Sequence, residues 1–488
     1  ALNRLVQIED ADGSVSKMEY NVYGQQTKLT DALGNAKQII YDKAGQKTGV
    51  IDAMGNETRY QYQELGKISQ VTDAMGRQTK YEYLPGGLLA KVTYPDGTYL
   101  CYTYDANRNV KSKTNQDGYT LNYEYDCMNR IIKVSGDEGQ QQRYFYNALG
   151  KIKATEDANG NQTWYQYTPT GKLRSVTDSL GNRTEYDYDV VGGLAEIHMI
   201  NEENQVHPVM SYERDVLGHV TCATDALGKK EYYIYDAMGR VTEKTDRDGY
   251  ATTYEYTAGG QLARIGYADG KEVKMSYNAL KQLVEIQDWL GSTKIEVDAL
   301  GRPESVTDYK GRETTYTRGA LGQRMQMQYP GGRKMIYGYD DAMHLTSVQD
   351  GNDVLQYHYD EHGRMVEKLL PNGIKTCYSY NPQGTIESFS HWKCGELLEL
   401  QEFEYDAVGN KVAVRKERQG LPEQSGEYRY FYDELNRLAE VEKDGLRLRR
   451  YGYDAFGNRI FQEDTEGRTD YFYNEANQLI RTAGTMGS

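Results

Sequence analysis

Proline is scarce in this 488-residue chain, with nine residues, and phenylalanine and tryptophan contribute only seven and three. So little proline excludes a proline-rich linker protein. The shortage of Phe and Trp argues against a thick oily core. The five cysteines (Cys101, Cys127, Cys222, Cys377 and Cys394) form no CxxC pair and share no spacing. They read as free thiols, neither a disulfide framework nor a zinc site. No apolar run reaches the roughly 18 residues that a membrane-spanning helix needs, and no secretory leader pattern opens the chain. Basic residues are also in deficit, 57 against 72 acidic, for a formal net charge of -15. A protein that binds nucleic acid non-specifically needs a basic stripe to displace counterions, so that class is excluded. A basic or neutral protein partner is still allowed.

What the chain has in quantity is tyrosine (46) and glycine (50). Both follow one period. The stretch Tyr41 to Tyr62 opens with Tyr41-Asp42, reaches Gly45, runs through Val50 and Ile51 to Asp52 and Gly55, and closes on Tyr60 and Tyr62. Tyr62 begins the next copy, which repeats the pattern at Asp73, Gly76, Tyr81 and Tyr83, and Tyr235, Asp236 and Gly239 carry it far downstream. The leading tyrosine recurs every 21 residues from Tyr20 to Tyr188, then resumes after Arg214, giving about 22 units. An array of units over 1–480 is expected, with insertions near 190–208, 389–400 and 416–427 placed in loops, and residues 481–488 as a non-repeat tail. Ala1 falls inside a unit, so a fragment of a longer polypeptide is expected.

Each unit alternates two turns with two strand-like runs. Asp at the first turn position accepts local backbone N–H bonds, and Gly at the fourth tolerates positive φ, the chemistry of a hairpin loop with a glycine bulge. Runs such as Thr79-Lys80-Tyr81-Glu82-Tyr83 alternate at period two, the mark of a half-buried strand. The other run, Ile68 to Thr72, sets Ile68 and Val71 three apart, on opposite faces of an ideal strand, and so predicts a bulge or local twist. Two strands per unit give an all-β ribbon of about 44 short antiparallel strands and no helix. Open twisted sheets rarely exceed about ten strands, so such a ribbon must coil or stack on itself.

The residues that could carry chemistry also have plainer readings. An aspartate present in almost every unit reads as a turn former before it reads as a hydrolase carboxylate or a calcium ladder. His358 and His362 have the spacing of a helical zinc pair but straddle a strand and a turn. His391, Trp392 and Cys394 lie together in an insertion without a nucleophile motif. The Gly-Gly segments at Gly86-Gly87, Gly259-Gly260 and Gly331-Gly332 precede no Lys-Ser/Thr and read as variant turns. No catalytic residue, metal ligand or cofactor is expected. Rows of tyrosine could stack against sugars or peptides, but cross-strand packing explains them more simply.

A Tyr-Asp-x-x-Gly motif at a 21-residue period, with a mid-unit Asp-x-x-Gly and a closing Tyr-x-Tyr, resembles the YD-repeat or RHS-repeat family over nearly the whole chain. That family includes bacterial Rhs polymorphic toxins, Gram-positive wall-associated proteins, the C component of insecticidal toxin complexes, and teneurins. The resemblance implies a β-strip spiralling into a hollow shell or solenoid. It further implies a secreted or cell-surface bacterial protein whose partner is a toxin or other polypeptide passenger, absent from this chain. A surface module binding glycan or a surface protein is the alternative. The Asp-Pro segment associated with self-cleavage in such toxins has no counterpart here, since no Asp-Pro pair occurs.

Overall fold

The computed structural model describes residues 4–137, 139 and 141–486. It contains 45 β-strands, from Gln7–Glu9 to Leu479–Met486, and among the described residues no α-helix. A single 3-10 turn, Pro422–Gln424, is the one departure from the expectation of no helix at any length. Strands pair antiparallel with their chain neighbours, in stretches that follow one another along one 45-stranded sheet. These extend from Gln7–Glu9 to Tyr99–Tyr104, from Val110–Thr114 to Lys230–Tyr235, from Ala251–Tyr256 to Met365–Leu369 and from Ile374–Tyr380 to Leu479–Met486. The chain is an all-β ribbon of hairpins.

One unit shows how the sequence dictates this. The strand Lys47–Ile51 turns through Asp52 to Asn56 into the strand Glu57–Tyr62. In the turn, the Asp52 N–H donates to the Asn56 carbonyl and the Gly55 N–H to the Asp52 carbonyl, both at 3.0 Å. Gly55 takes φ +85°, a conformation that costs a residue with a Cβ about 1–2 kcal/mol. The expected bulge is present. Tyr60 faces Val71 and Gln61 faces Gln70, but Tyr62 faces Ile68, so Ser69 has no partner across the ladder. The slip brings Ile68 and Val71, three apart in sequence, beside Tyr62 and Tyr60 on one face. Thr58, Tyr60 and Tyr62 are half-buried there, while Arg59 and Gln61 are exposed. The apolar layer is thin. Its most enclosed aliphatic side chains include Val92, Val414 and Val441, at 7%, 1% and 7% exposure.

Two of the three insertions differ from the loops expected of them, and most of the third is a loop. Residues 190–208 extend a hairpin, Leu194–Ile200 against Val206–Arg214. Residues 389–400 lie in a second long hairpin, Ile386–Lys393 against Glu396–Tyr405. Their alternating Ile, Leu, Phe and Trp residues can prolong a pleated surface, so extra length goes into the ladder. Of 416–427, residues 419–425, including the turn Pro422–Gln424, leave it as a loop between Lys411–Arg418 and Gly426–Tyr432. Most of the expected non-repeat tail, 481–488, pairs in the ladder. Leu479–Met486 pairs with Gly467–Tyr473 as far as Gly467 opposite Met486, and only residues 487–488 fall outside the described part.

The ribbon divides into two compact units. One comprises Ala1–Tyr102, Val241–Glu243 and Tyr250–Asn372, and the other Thr103–Arg240, Lys244–Gly249 and Gly373–Ser488. In each unit two strips of ribbon lie edge to edge. In the first, Lys281 Nζ donates to Asp10 Oδ2 at 2.8 Å, Arg77 Nη1 to the Asp341 carbonyl at 3.2 Å, and Arg302 Nη2 to Met54 Sδ at 3.0 Å. In the second, Asn159 Nδ2 donates to Asp406 Oδ2 at 3.0 Å and Ser179 Oγ to the Glu434 carbonyl at 2.9 Å. These partners are 247 to 271 residues apart. The chain therefore comes back alongside itself after roughly a dozen repeats. In every case a mid-unit turn of the earlier strip meets a turn that follows a unit-leading position in the later one.

Candidate functional site

The most repeated arrangement of functional groups is a clasp between successive units. It begins with the turn aspartate. Asp126 Oδ1 accepts the N–H groups of Met128 at 2.9 Å and Arg130 at 3.0 Å. Its other oxygen accepts Arg130 Nε at 2.7 Å. The same guanidinium lies over the ring of the next leading tyrosine, Tyr146, 4.4 Å from its centroid. The Tyr146 hydroxyl then donates 2.8 Å to the Ile131 carbonyl, at the start of the strand that follows Arg130. This carbonyl lies beyond the ladder contacts with the strand Gln141–Tyr146, which begin at Lys133. A phenol is thus supplied where the ladder has run out.

The clasp recurs with other side chains in the Arg130 position. His219 Nδ1 pairs with Asp215 at 2.9 Å and stacks on Tyr235 at 4.8 Å, and Tyr235 donates to the Val220 carbonyl at 2.7 Å. His344 repeats this with Asp340, Tyr359 and the Leu345 carbonyl. Lys151 lies over Tyr167, which bonds the Ile152 carbonyl, and Lys172 lies over Tyr188, which bonds the Leu173 carbonyl. In mid-unit turns an asparagine often takes the position, as in Asn56 Nδ2 donating 2.9 Å to Asp52 Oδ2. Where Arg214 stands for the leading tyrosine, its Nη2 donates 3.1 Å to the Leu194 carbonyl, which opens the strand Leu194–Ile200. The chemistry survives the substitution because a guanidinium also reaches and donates.

The electrostatics agree with this geometry. The Arg130 guanidinium holds the Asp126 carboxyl below its ordinary value, and the His219 bond does the same for Asp215. At Asp236 the backbone N–H of Arg240 leads, followed by the Arg240 side chain. Burial pushes the phenols of Tyr83, Tyr125, Tyr167, Tyr188 and Tyr235 above theirs.

The structure places each residue singled out in the sequence. Tyr41 and Tyr62 donate to the Gln26 and Lys47 carbonyls, and Tyr83 to that of Ile68. Asp42 accepts the Gln46 N–H, Asp52 those of Met54 and Asn56, and Asp73 those of Met75 and Arg77. Gly45, Gly55, Gly76 and Gly239 all have φ between +78° and +85°. Tyr60 and Tyr81 line the packed face opposite Val71 and Val92. His358 sits exposed in the strand Asp353–Tyr359, and His362, in the turn beyond it, lies 3.3 Å from Arg364 Nη2. His391 Nδ1 bonds the Thr376 hydroxyl at 2.9 Å, while Cys394 is exposed at a turn with φ +51°.

Two features escaped the sequence reading. The residue after the positive-φ turn position, often Arg, His, Lys, Gln or Asn, closes the clasp, and counting that column would have found it. Asp187, Glu196 and His198 also converge across the strands Arg183–Tyr188 and Leu194–Ile200, with ligand atoms within 4.8 Å of one another. Both carboxylates are exposed, and His198 Nε2 is 3.1 Å from Glu196 and 3.6 Å from Asp187. A hydrogen bond between His198 and Glu196 links two of the three.

Comparisons with known proteins match this geometry. The family model described as Teneurin YD-shell matches residues 2–114 and 290–417, and that described as RHS Repeat matches 214–249 and 235–272. Between them they span more than half the chain. The double-stranded DNA deaminase toxin A of Burkholderia cenocepacia is 24% identical over 210 residues, 39% of this chain and 14% of that protein. The probable deoxyribonuclease RhsB of Dickeya dadantii is 28% identical over 134 residues, 25% of this chain and 9% of that protein. The chain therefore spans a small part of the relatives it matches. Among solved structures, TcdB2-TccC3 superposes with a TM-score of 0.70 at 16% identity, over 98% of this chain and 33% of that one. The Tc holotoxin pore of Photorhabdus luminescens gives 0.63 at 14% identity, over 96% of this chain and 35% of that one. Repeat, clasp and superposition agree: the chain belongs to the YD-repeat, or RHS-repeat, family and has its β-ribbon shell fold.

Proposed function

We propose that this chain is wall material of an encapsulating shell, part of a secreted or cell-surface bacterial protein that encloses a toxin or other polypeptide passenger. The observation that carries this reading is the clasp. Successive units are tied by a turn side chain, the residue that follows the turn, an aromatic ring and a backbone carbonyl, and at Tyr146 these are a carboxylate, a cation, a phenol and the Ile131 carbonyl. Hydrogen-bonded strands about 4.8 Å apart leave no gap that a protease or a folded protein could pass. In this mechanism, containment is the activity and no side chain performs a reaction. The fold shared with TcdB2-TccC3 over nearly the whole chain supports it.

Electron microscopy of the purified protein tests the reading, which predicts compact particles around a low-density interior. A filled globule or a flexible rod would refute it. The passenger is tested separately by appending an unstructured polypeptide to the chain. Resistance of that segment to protease when appended, but not when added in trans, is the expected result.

A further inference from the structure

We propose that Asp187, Glu196 and His198 form a site for one divalent transition-metal ion of the zinc type, which clips the strand Leu194–Ile200 of the inserted hairpin to the strand before it. The ladder is irregular here. On the face opposite the tyrosines, the residue before the leading tyrosine is often acidic, and a cation is set across from it. Lys28 faces Glu19, Lys91 faces Glu82, Lys133 faces Glu124 and Arg264 faces Glu255. Three of these are ion pairs, Glu19 with Lys28 and Glu124 with Lys133 at 3.1 Å and Glu255 with Arg264 at 2.6 Å. Asp187 holds the same position before Tyr188, but the residue across from it is Glu196. Like charges directly opposite repel. Arg183, on the strand of Asp187, pairs with Glu185 at 2.9 Å. In place of the cation there is a third ligand, His198. At its position the four other units carry Thr30, Thr93, Ser135 and Gly266, none of which offers a side-chain nitrogen.

His198 lies two residues beyond Glu196 on one strand, and so on the same face. In the next strand Met210 faces Ile197 but Pro208 faces His198, a bulge that leaves Val209 unpaired, and bulges re-aim the side chains beside them. His198 Nε2 lies 3.1 Å from Glu196 Oε2 and 3.6 Å from Asp187 Oδ2, and the three ligand atoms lie within 4.8 Å of one another. A tetrahedral ion about 2.1 Å from each donor sets its donors about 3.4 Å apart, so small side-chain rotations close the set. Among the described residues His198 Nδ1 is buried without a hydrogen-bond partner, which leaves Nε2 as the nitrogen that an ion reaches. One imidazole and two carboxylates suit Zn²⁺ and its transition-metal neighbours, whereas Ca²⁺ and Mg²⁺ take oxygen ligands and more of them. The two carboxylate charges balance the ion, and the fourth position is left to water. The site falls where the 21-residue period breaks, between Tyr188 and Arg214. An ion bridging Arg183–Tyr188 and Leu194–Ile200 holds the register at that break.

Isothermal titration of Zn²⁺ into the whole chain, first stripped of metal with a chelator, tests this. One ion per chain is expected at the tightest site, with Kd at least tenfold weaker in Asp187→Asn and in His198→Gln. Glu196→Lys rebuilds the pairing of the other units. It should abolish the site while its urea midpoint without metal matches or exceeds that of wild type, which separates loss of binding from loss of fold. Zn²⁺ should raise the urea midpoint of wild type and leave that of Glu196→Lys unchanged. A chain that takes up no Zn²⁺ one to one overturns the proposal, as does a site that survives both Asp187→Asn and His198→Gln. Binding kept in His198→Gln but lost in Cys127→Ser with Cys394→Ser, the exposed thiols, overturns it in favour of the cysteines.

Discussion

Tyr146→Phe removes one oxygen from the clasp and leaves the ring under Arg130. The hydroxyl bond to the Ile131 carbonyl, 2.8 Å and partly buried, is lost, and Ile131 lies beyond the ladder contacts with Gln141–Tyr146. A net hydrogen bond is worth about 0.5–1.5 kcal/mol, and an unsatisfied buried carbonyl adds to the loss, so about 1–2 kcal/mol is expected. In a repeat array such a loss is felt first by the two units that share the junction. Hydrogen–deuterium exchange resolves this: amides of the strands Ile131–Gly136 and Gln141–Tyr146 should exchange about tenfold faster, while remote units change little. The internal control is Tyr144→Phe, whose hydroxyl donates 2.8 Å to the side chain of Gln142. Gln142 can turn to water, so the expected change is under about 0.5 kcal/mol. Arg130→Met in the Tyr146→Ala background should cost less than in wild type by about 0.5–1 kcal/mol, the cation–π share. If Tyr146→Phe loses no more protection than Tyr144→Phe, the hydroxyl does not close the clasp and the reasoning fails.

Gly55 and Gly239 have similar φ, +85° and +78°, but an added Cβ meets nothing within 4 Å at Gly55 and lies 2.8 Å from His219 Nε2 at Gly239. Gly55→Ala should therefore lower stability by the backbone term alone, about 1 kcal/mol in urea titration, and Gly239→Ala by more, because His219 is held by Asp215 and Tyr235. Equal losses would mean that the close approach is immaterial. Acid should weaken the fold. Asp126 and Asp236 have folded pKa values below the ordinary 3.8, so their stabilisation is present above that value and lost as pH falls through the folded values. The urea midpoint should fall below about pH 4 and fall less steeply in Asp126→Asn and Asp236→Asn; a midpoint that is level or rising towards low pH contradicts this. At the alkaline end, buried Tyr125, Tyr167 and Tyr188 have folded values above 10.0. Stability should hold up to about pH 10 and then decline, with phenolate absorbance rising alongside loss of the sheet's circular dichroism; phenols that ionise with the sheet intact would show them free of the ladder.

Much of this protein was legible in the sequence because its interactions are local and repeated. Asp42, Gly45, Asp52 and Gly55 specify their turns through bonds within five residues, and the same answer recurs unit after unit. The three-residue spacing of Ile68 and Val71 foretold the bulge, since only a slipped register puts both beside tyrosines. The clasp was half legible. Its tyrosine and aspartate stood out, but the third partner varies among Arg130, His219, Lys151 and Asn56, and chemistry shared by unlike residues is hard to see as a motif. Two of the insertions were misread as loops because added length says nothing about whether it continues a ladder, as Leu194–Ile200 and Val206–Arg214 do.

The seams are another matter. Lys281 with Asp10 and Ser179 with Glu434 meet across more than 250 residues. Neither turn differs from its neighbours in a way that names its partner. Which turns meet depends on the twist and curvature accumulated over about a dozen hairpins, a sum of small rotations that no single residue encodes. The amino-acid sequence by itself determined the unit, its turns and its pleat, because those are settled within about twenty residues. Only the tertiary structure decided which distant turns meet across the seams, as Lys281 meets Asp10 and Ser179 meets Glu434.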